Sequence, residues 1–161
     1  MRLSTLATTA AAVALTGTVG GLATGPAARS RWFARLKKPG FQPPAQAFPI
    51  VWPILYTDIA GVSAATIDRL EELGEPAEAR AYRIALAVNL ALNGGWSWVF
   101  FNRRRLGAAT VTAGLLAASS ADLTRRAVQA RPEIGALLLP YPLWCGFATL
   151  LSGRIWWLNR R

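Results

Sequence analysis

Residues 31–56 read RWFARLKKPGFQPPAQAFPIVWPILY, and this stretch decides the fold. It opens on an aromatic pair, Trp32 and Phe33, set among basic residues. It passes through Pro39, Pro43 and Pro44, then enters an apolar run that places Trp52 and Tyr56 one helical turn apart. A connector this stiff and basic, feeding directly into a hydrophobic segment, predicts a lid across the mouth of a membrane bundle.

Composition supports a membrane setting. The chain has 161 residues, enough for one domain spanning 1–161, with 53% apolar and 16% charged residues. A soluble domain carries about 25% charge. The net charge of +10 suits either nucleic acid or a membrane surface. Nucleic-acid binding needs cations gathered on a soluble face. Here they lie between long apolar runs, so the expected partner is the lipid bilayer and not nucleic acid. There is no His, which removes the commonest metal ligand and general base. Cys145 is the single Cys; it cannot form an intrachain disulfide, and its apolar surroundings predict a packed, inert thiol. No nucleophile–base pair, metal cluster or phosphate loop is present. The expectation is a non-enzyme with no catalytic residue, no metal and no required cofactor.

About 20 mostly apolar residues span a bilayer as a helix, and five segments approach this. Leu3 to Ala28 carries no charge; Gly40 to Ile67 contains only Asp58; Ile84 to Asn102 and Ile134 to Gly153 carry none. Leu106 to Ala121 reaches full length only by including Asp122. The predicted architecture is an all-α, five-transmembrane-helix bundle with spans near 3–28, 48–67, 82–102, 106–125 and 133–157, and a lid connector over 29–47. The first segment, MRLSTLATTAAAVALTGTVGGLATG, also resembles a secretory signal. Gly17, Gly21 and Gly25, at four-residue spacing, instead suggest a helix face for close packing in a retained span.

Five spans put the termini on opposite sides. The side holding the first connector, the turn after the third span and the C-terminus has eleven cations, including Arg29, Arg31, Lys37, Arg103 and Arg154; the other has seven. Cytoplasmic loops collect Lys and Arg, which predicts an external N-terminus and a cytoplasmic C-terminus. The segment from Asp68 to Arg80, acidic and containing Gly74 and Pro76, reads as an exposed turn.

Six of the seven Trp fall towards the basic side, with Trp144 near the middle of the fifth span. An interfacial aromatic belt suits Trp98, Trp156 and Trp157, but a belt alone should occupy both interfaces. Helical spacing offers a second cause. Trp52 and Tyr56 share a face; so do Asn89, Asn93 and Trp96, and Trp144, Ala148 and Leu151. An Asn facing lipid would leave its amide unsatisfied, so Asn89 and Asn93 should point inward, either clamping a neighbouring helix or contacting a ligand. A cavity lined by indoles, with Ala148 leaving space, suits a flat apolar ligand. Arg31, Arg35, Lys37 and Lys38 would either attract its carboxylates or anchor to phospholipid headgroups.

Taken together, RWFARLKKPGFQPP (31–44), VWPILY (51–56), LALNGGWSWVFF (90–101), LLLPYPLW (137–144) and FATLL (147–151) resemble the TspO/translocator-protein family of tryptophan-rich sensory proteins and peripheral benzodiazepine receptors. The resemblance covers Arg31 to Asn159. It implies a five-helix bundle, often dimeric, hence a homodimer, whose pocket opens towards the first connector and takes porphyrins, sterols in animal members, or synthetic aromatics. Matching positions imply Trp52, Asn93, Trp96, Trp144, Ala148 and Leu151 in the pocket, Trp32 and Pro44 in the lid, and Tyr56 one turn below Trp52.

There are departures. The animal sterol-recognition stretch corresponds to ATLLSGRIWWLN (148–159), with Gly153 and Trp157 where a Tyr and an Arg would fall, which argues against animal-type sterol binding. A pocket Trp early in the fourth span is replaced by Ala108, suggesting a larger cavity. Asp58 and Asp122 are not family features, and carboxylates within spans are functional candidates.

The expected function is a membrane receptor or sensor for tetrapyrroles, linked to transport or stress signalling. The alternatives are a tetrapyrrole transporter, a light-dependent porphyrin-degrading enzyme, and a structural membrane protein without a small ligand.

Overall fold

The computed structural model describes residues 1–160 and contains no strand among them. Seven α-helices follow in order: α1 (Leu3–Ala28), α2 (Arg31–Arg35), α3 (Phe48–Glu72), α4 (Pro76–Ser97), α5 (Leu106–Ala130), α6 (Pro132–Gly135) and α7 (Pro140–Asn159). A 3-10 turn, Ala45–Ala47, leads into α3; a π turn, Trp98–Asn102, ends α4; a second 3-10 turn, Ala136–Leu138, joins α6 to α7. Five of these stretches, built around α1, α3, α4, α5 and α7, are long and apolar enough to cross a membrane.

Local chemistry sets the helix ends. Pro76, Pro132 and Pro140 stand at the first helical position, where the missing N–H costs nothing and the fixed φ fits. At the end of α3, Gly74 adopts φ 73°, a conformation open to Gly at no steric cost. Its N–H donates to Glu71 O (3.1 Å) and the Glu75 N–H donates to Leu70 O (2.9 Å). This is the paired closure of a Schellman turn, and it fixes the acidic connector predicted from Gly74 and Pro76.

α1 packs on α3 and α4, α4 on α5, and α5 on α7. The fifth span reaches α3 mainly through α6 and the turn after it. Along the rest of their length α3 and α7 are spaced apart, with side chains filling between their backbones. α6 folds tightly back on α5: a Cβ on Gly135 would stand 2.3 Å from Val128 N and 2.4 Å from Ala127 C.

The expected glycine stripe on α1 is corrected. Gly17 lies 3.0 Å from the Tyr56 ring and Gly20 3.3 Å from Ser97 Oγ, measured from an added Cβ; Gly21 and Gly25 face nothing within 4 Å. At 3.6 residues per turn, each four-residue step rotates about 40° further around the helix. The buried face of α1 is Thr9, Val13, Thr16, Gly20 and Ala23, and Gly21 and Gly25 have rotated away from it.

The carboxylate that matters most inside the bundle is Asp68, which the sequence reading placed in an exposed turn. It is 3% exposed. It accepts from the Arg2 backbone N–H, from Arg2 Nε (3.0 Å) and Nη2 (2.8 Å), and from Thr5 Oγ1 (2.7 Å). A buried carboxylate stripped of its partners is strongly destabilising, so Arg2 and Thr5 tie the start of α1 to α3. Asp122 is paired with Arg126 Nε (2.7 Å) and with Arg125 one turn along α5, as befits a residue at a span's edge. Asp58 is half-buried on α3. Ala108 lies on the outer surface of α5, so its small side chain does not enlarge the interior.

Candidate functional site

Two aromatic stripes face each other between α3 and α7. On α3, Phe48, Trp52 and Tyr56 recur every four residues and share one face. On α7 the corresponding residues are Tyr141, Trp144, Phe147 and Ala148. The stripes meet at the connector end, where Phe48 and Trp144 lie edge to face with centroids 5.9 Å apart. Trp52 tilts against Tyr56 at 5.4 Å, and Trp144 against Phe147 at 5.6 Å. Trp52, Tyr56 and Trp144 pack on the same apolar core cluster. The connector adds Phe41, edge-on to Phe147 at 6.2 Å.

The inner end of this slot is closed by a chain of side-chain hydrogen bonds. The Tyr56 hydroxyl donates to Asn93 Oδ1 (2.9 Å), and Asn93 Nδ2 donates to the Tyr141 hydroxyl (3.1 Å). Tyr141 donates in turn to Asn89 Oδ1 (2.8 Å), and Asn89 Nδ2 donates to Ser119 Oγ (3.2 Å). Four spans are joined, with every donor aimed the same way. Asn89, Asn93 and Tyr141 are all buried. Polar groups at this depth persist only when satisfied, and this chain satisfies both amides.

Of the two roles open to the asparagines, Asn89 takes the helix clamp: it has no exposed surface, and both ends of its amide are engaged. Asn93 also clamps, but through Tyr56 it reaches the slot.

The remaining tryptophans split in two. Trp98, Trp156 and Trp157 are exposed at 43%, 42% and 48%, as interfacial residues should be. Trp98 Nε1 donates to Val19 O at 3.1 Å, and Arg154 stacks over Trp157 at 4.4 Å. Trp32 and Trp96 are half-buried and join Phe33, Phe100 and Phe101 in a second aromatic cluster. Trp96 lies 5.4 Å from Phe100, and Trp32 6.1 Å from Phe100. Leu151, Phe48 and Phe147 pack on this cluster too, so the two aromatic groups are continuous at the connector end.

The connector is fastened at several points. Ser30 caps α2 by accepting from the Phe33 N–H (3.2 Å). Lys38 Nζ donates to Phe33 O (2.8 Å) while lying 4.4 Å above the Phe33 ring. The Asn159 side chain clasps the Lys37 backbone in both directions: the Lys37 N–H donates to Oδ1 (3.0 Å) and Nδ2 donates to Lys37 O (2.9 Å). Pro39 is buried whereas Pro44 is exposed, so Pro39 seats the connector and Pro44 opens the turn into α3. Two buried polar atoms have no hydrogen-bond partner among the described residues: Trp96 Nε1, a donor, and Gln42 Oε1, an acceptor.

Of the ten residues singled out from sequence, Trp52 and Tyr56 pack on each other on α3, Trp144 on α7 meets the α3 stripe through Phe48, and Ala148 is half-buried one turn beyond Trp144. Trp32, Trp96 and Leu151 belong to the adjoining aromatic cluster, Asn93 and Asn89 to the polar chain, and Pro44 to the connector surface. Sequence reasoning missed Phe48, Tyr141, Phe147 and Gln42. Phe48 stands one turn before Trp52, and Tyr141 three residues before Trp144, so extending the same periodicity would have found them. Gln42 carries no such signal.

A helical membrane bundle with a tryptophan-rich slot under a proline connector defines the class as a multi-pass integral membrane protein with a candidate small-molecule site. Comparison with known proteins narrows the class. The model of the TspO/MBR family matches residues 8–158, and the chain belongs to that family. It is 34% identical to the human translocator protein over 127 residues, covering 78% of this chain and 73% of that protein. It is 30% identical to a tryptophan-rich sensory protein of Cereibacter sphaeroides over 128 residues, covering 80% and 77%. It is 31% identical to protein CrtK of Rhodobacter capsulatus over 129 residues, covering 80% and 78%.

Proposed function

We propose that this protein is a receptor or sensor that binds a tetrapyrrole such as protoporphyrin between α3 and α7, beneath the proline connector, and couples occupancy to tetrapyrrole transport or stress signalling. One observation carries the reading: Trp52 and Trp144 stand on facing stripes, bounded by the Phe48–Trp144 contact at one end and the Tyr56–Asn93–Tyr141 chain at the other. Indole faces offer a flat ring system large stacking area. The unpartnered Trp96 N–H and Gln42 carbonyl supply a donor and an acceptor of the kind that orients a ligand in an apolar pocket. Lys37, Lys38 and Arg104 stand at the same end, with Arg104 5.2 Å above the Trp32 ring, where a propionate would meet them. The aromatic rings lie against one another, so entry of the ligand parts the connector from α7.

Titration of protoporphyrin into purified protein tests the idea through saturable quenching of tryptophan fluorescence. Each aromatic contact is worth about 0.5–1.5 kcal/mol beyond area burial. Combining Trp52→Ala with Trp144→Ala should therefore weaken half-saturation by about tenfold or more, at 1.4 kcal/mol per decade. Unchanged affinity would remove the pocket assignment.

We also propose an external N-terminus and a cytoplasmic C-terminus. The connector, the turn after α4 and the end of α7 share one end of the bundle, and their cations outnumber those opposite. A fusion reporter active only outside the cytoplasm when placed at the C-terminus would refute the orientation.

A further inference from the structure

We propose that the cleft between α1 and α4, at the far end of the bundle from the tryptophan slot, seats one bilayer phospholipid. Its acyl chain lies along the cleft and its phosphate rests on Arg2 and Arg83. The cleft arises because α1 and α4 are held tightly at one end only. There Gly20 meets Ser97, Gly94 meets Thr16, and Trp98 bonds the Val19 carbonyl. Towards the other end the helices splay, and a cavity of about 430 Å³ opens between them with Ile67 of α3 as its floor. That volume lies within the range of about 300–1,000 Å³ typical of ligand pockets.

The cleft's wall is chemically graded. Its buried part is formed by Leu86, Leu90 and Thr9, flanked by half-buried Ala12 and by Thr8 and Ala87 at the exposed edge. The two threonines look polar in sequence, but both hydroxyls are spent on backbone carbonyls. Thr8 Oγ1 donates to Ser4 O (2.8 Å), and Thr9 Oγ1 to Ala60 O (3.0 Å). The buried part is therefore apolar, and in a bilayer an acyl chain is the filling at hand.

The mouth is charged. Arg2 and Arg83 both reach Glu71, and Arg2 also holds Asp68. The guanidinium-bearing side chains are 55% and 47% exposed, against 29% for Glu71 and 4% for Asp68. The carboxylates are turned inward and the cations outward. Arg83 engages Glu71 through Nη2, and its other two nitrogens have no hydrogen-bond partner among the described residues. A half-exposed guanidinium fork with free N–H groups fits a phosphate oxygen pair. The order from mouth to depth, cationic then apolar, matches a phospholipid read from headgroup to tail, with the mouth at the end of the spans where headgroups lie.

Delipidated full-length protein in detergent, titrated with dioleoyl phosphatidylglycerol and observed by native mass spectrometry, tests this. The wild type should retain one lipid per chain. Arg83→Gln, an exposed position, should bind at least tenfold more weakly. Ala87→Trp, which fills the cleft, should lose the lipid; if it fails to fold, Arg83→Gln still decides. Oleate and dioleoylglycerol, which lack the phosphate diester, should each bind at least tenfold more weakly, and sodium phosphate should not compete. Equal retention by wild type and Arg83→Gln would overturn the proposal. So would binding of dioleoylglycerol or oleate as tight as that of the phospholipid, or displacement of the lipid by sodium phosphate.

Discussion

Tyr141→Phe is the sharpest test of how the bundle is held together. The substitution keeps the ring, which is fully buried, and deletes only the hydroxyl at the centre of the polar chain. Two hydrogen bonds vanish at once, the one accepted from Asn93 Nδ2 at 3.1 Å and the one donated to Asn89 Oδ1 at 2.8 Å. Interhelical hydrogen bonds in membrane proteins average about 0.6 kcal/mol and reach about 1.7 kcal/mol, because the unfolded chain in the membrane also finds partners. Two such bonds give a loss of about 1–3 kcal/mol. The Asn93 donor and Asn89 acceptor stay buried without partners, which places the expectation in the upper half of that range. Unfolding in detergent by graded addition of dodecyl sulfate, followed by tryptophan fluorescence, measures it. A double-mutant cycle with Asn89→Leu isolates the direct bond and should return a coupling of about 0.6 kcal/mol or more. A single-mutant loss below about 0.5 kcal/mol, the size of an ordinary surface change, together with zero coupling, would refute the idea that this chain clamps four spans.

The remaining predictions concern contacts made by single atoms. Gly135→Ala drives a Cβ to 2.3 Å from backbone atoms of α5 that cannot step aside, so it should cost about 3 kcal/mol or more and sharply lower the unfolding midpoint in the same assay. Gly17→Ala pushes on the Tyr56 ring at 3.0 Å and should cost about 1 kcal/mol, whereas Gly21→Ala, facing open space, should fall within about 0.5 kcal/mol of wild type; equal effects would contradict the assigned face of α1. Asn159→Ala removes both halves of the Lys37 clasp, and trypsin should cut after Lys37 faster than in wild type, with no change in cutting near Arg80; the bond after Lys38 precedes Pro39 and resists trypsin in both.

Much of this architecture was legible from the chain because membrane helices report themselves through apolar length. The inward placement of Asn89 and Asn93 followed from a solvation argument that needs no coordinates. What they bond to did not, since Tyr141 and Ser119 lie 48 and 30 residues away from Asn93 and Asn89 respectively. Spacing misled at α1. A repeat of four rotates around a helix of 3.6, so Gly21 and Gly25 left the packing face that Gly20 occupies. Asp68 was hidden by its neighbours: it begins an acidic, turn-like segment, and only the arrival of Arg2 from the other end of α1 makes it an interior residue. The aromatic slot was half legible. Trp52, Tyr56 and Trp144 were visible as conspicuous residue types, while Phe48 and Phe147, on the same faces, were not.

The clasp between Lys37 and Asn159 joins positions 122 residues apart. During synthesis Lys37 leaves the ribosome long before Asn159 exists. Until the last span has been made, the segment after α1 is held only through Trp32 and Phe33 against Phe100 and Phe101, and the aromatic slot has only one wall. The Lys37 end of the connector can therefore be fastened only after the fifth span is in place, which makes this clasp one of the last contacts of the fold to close.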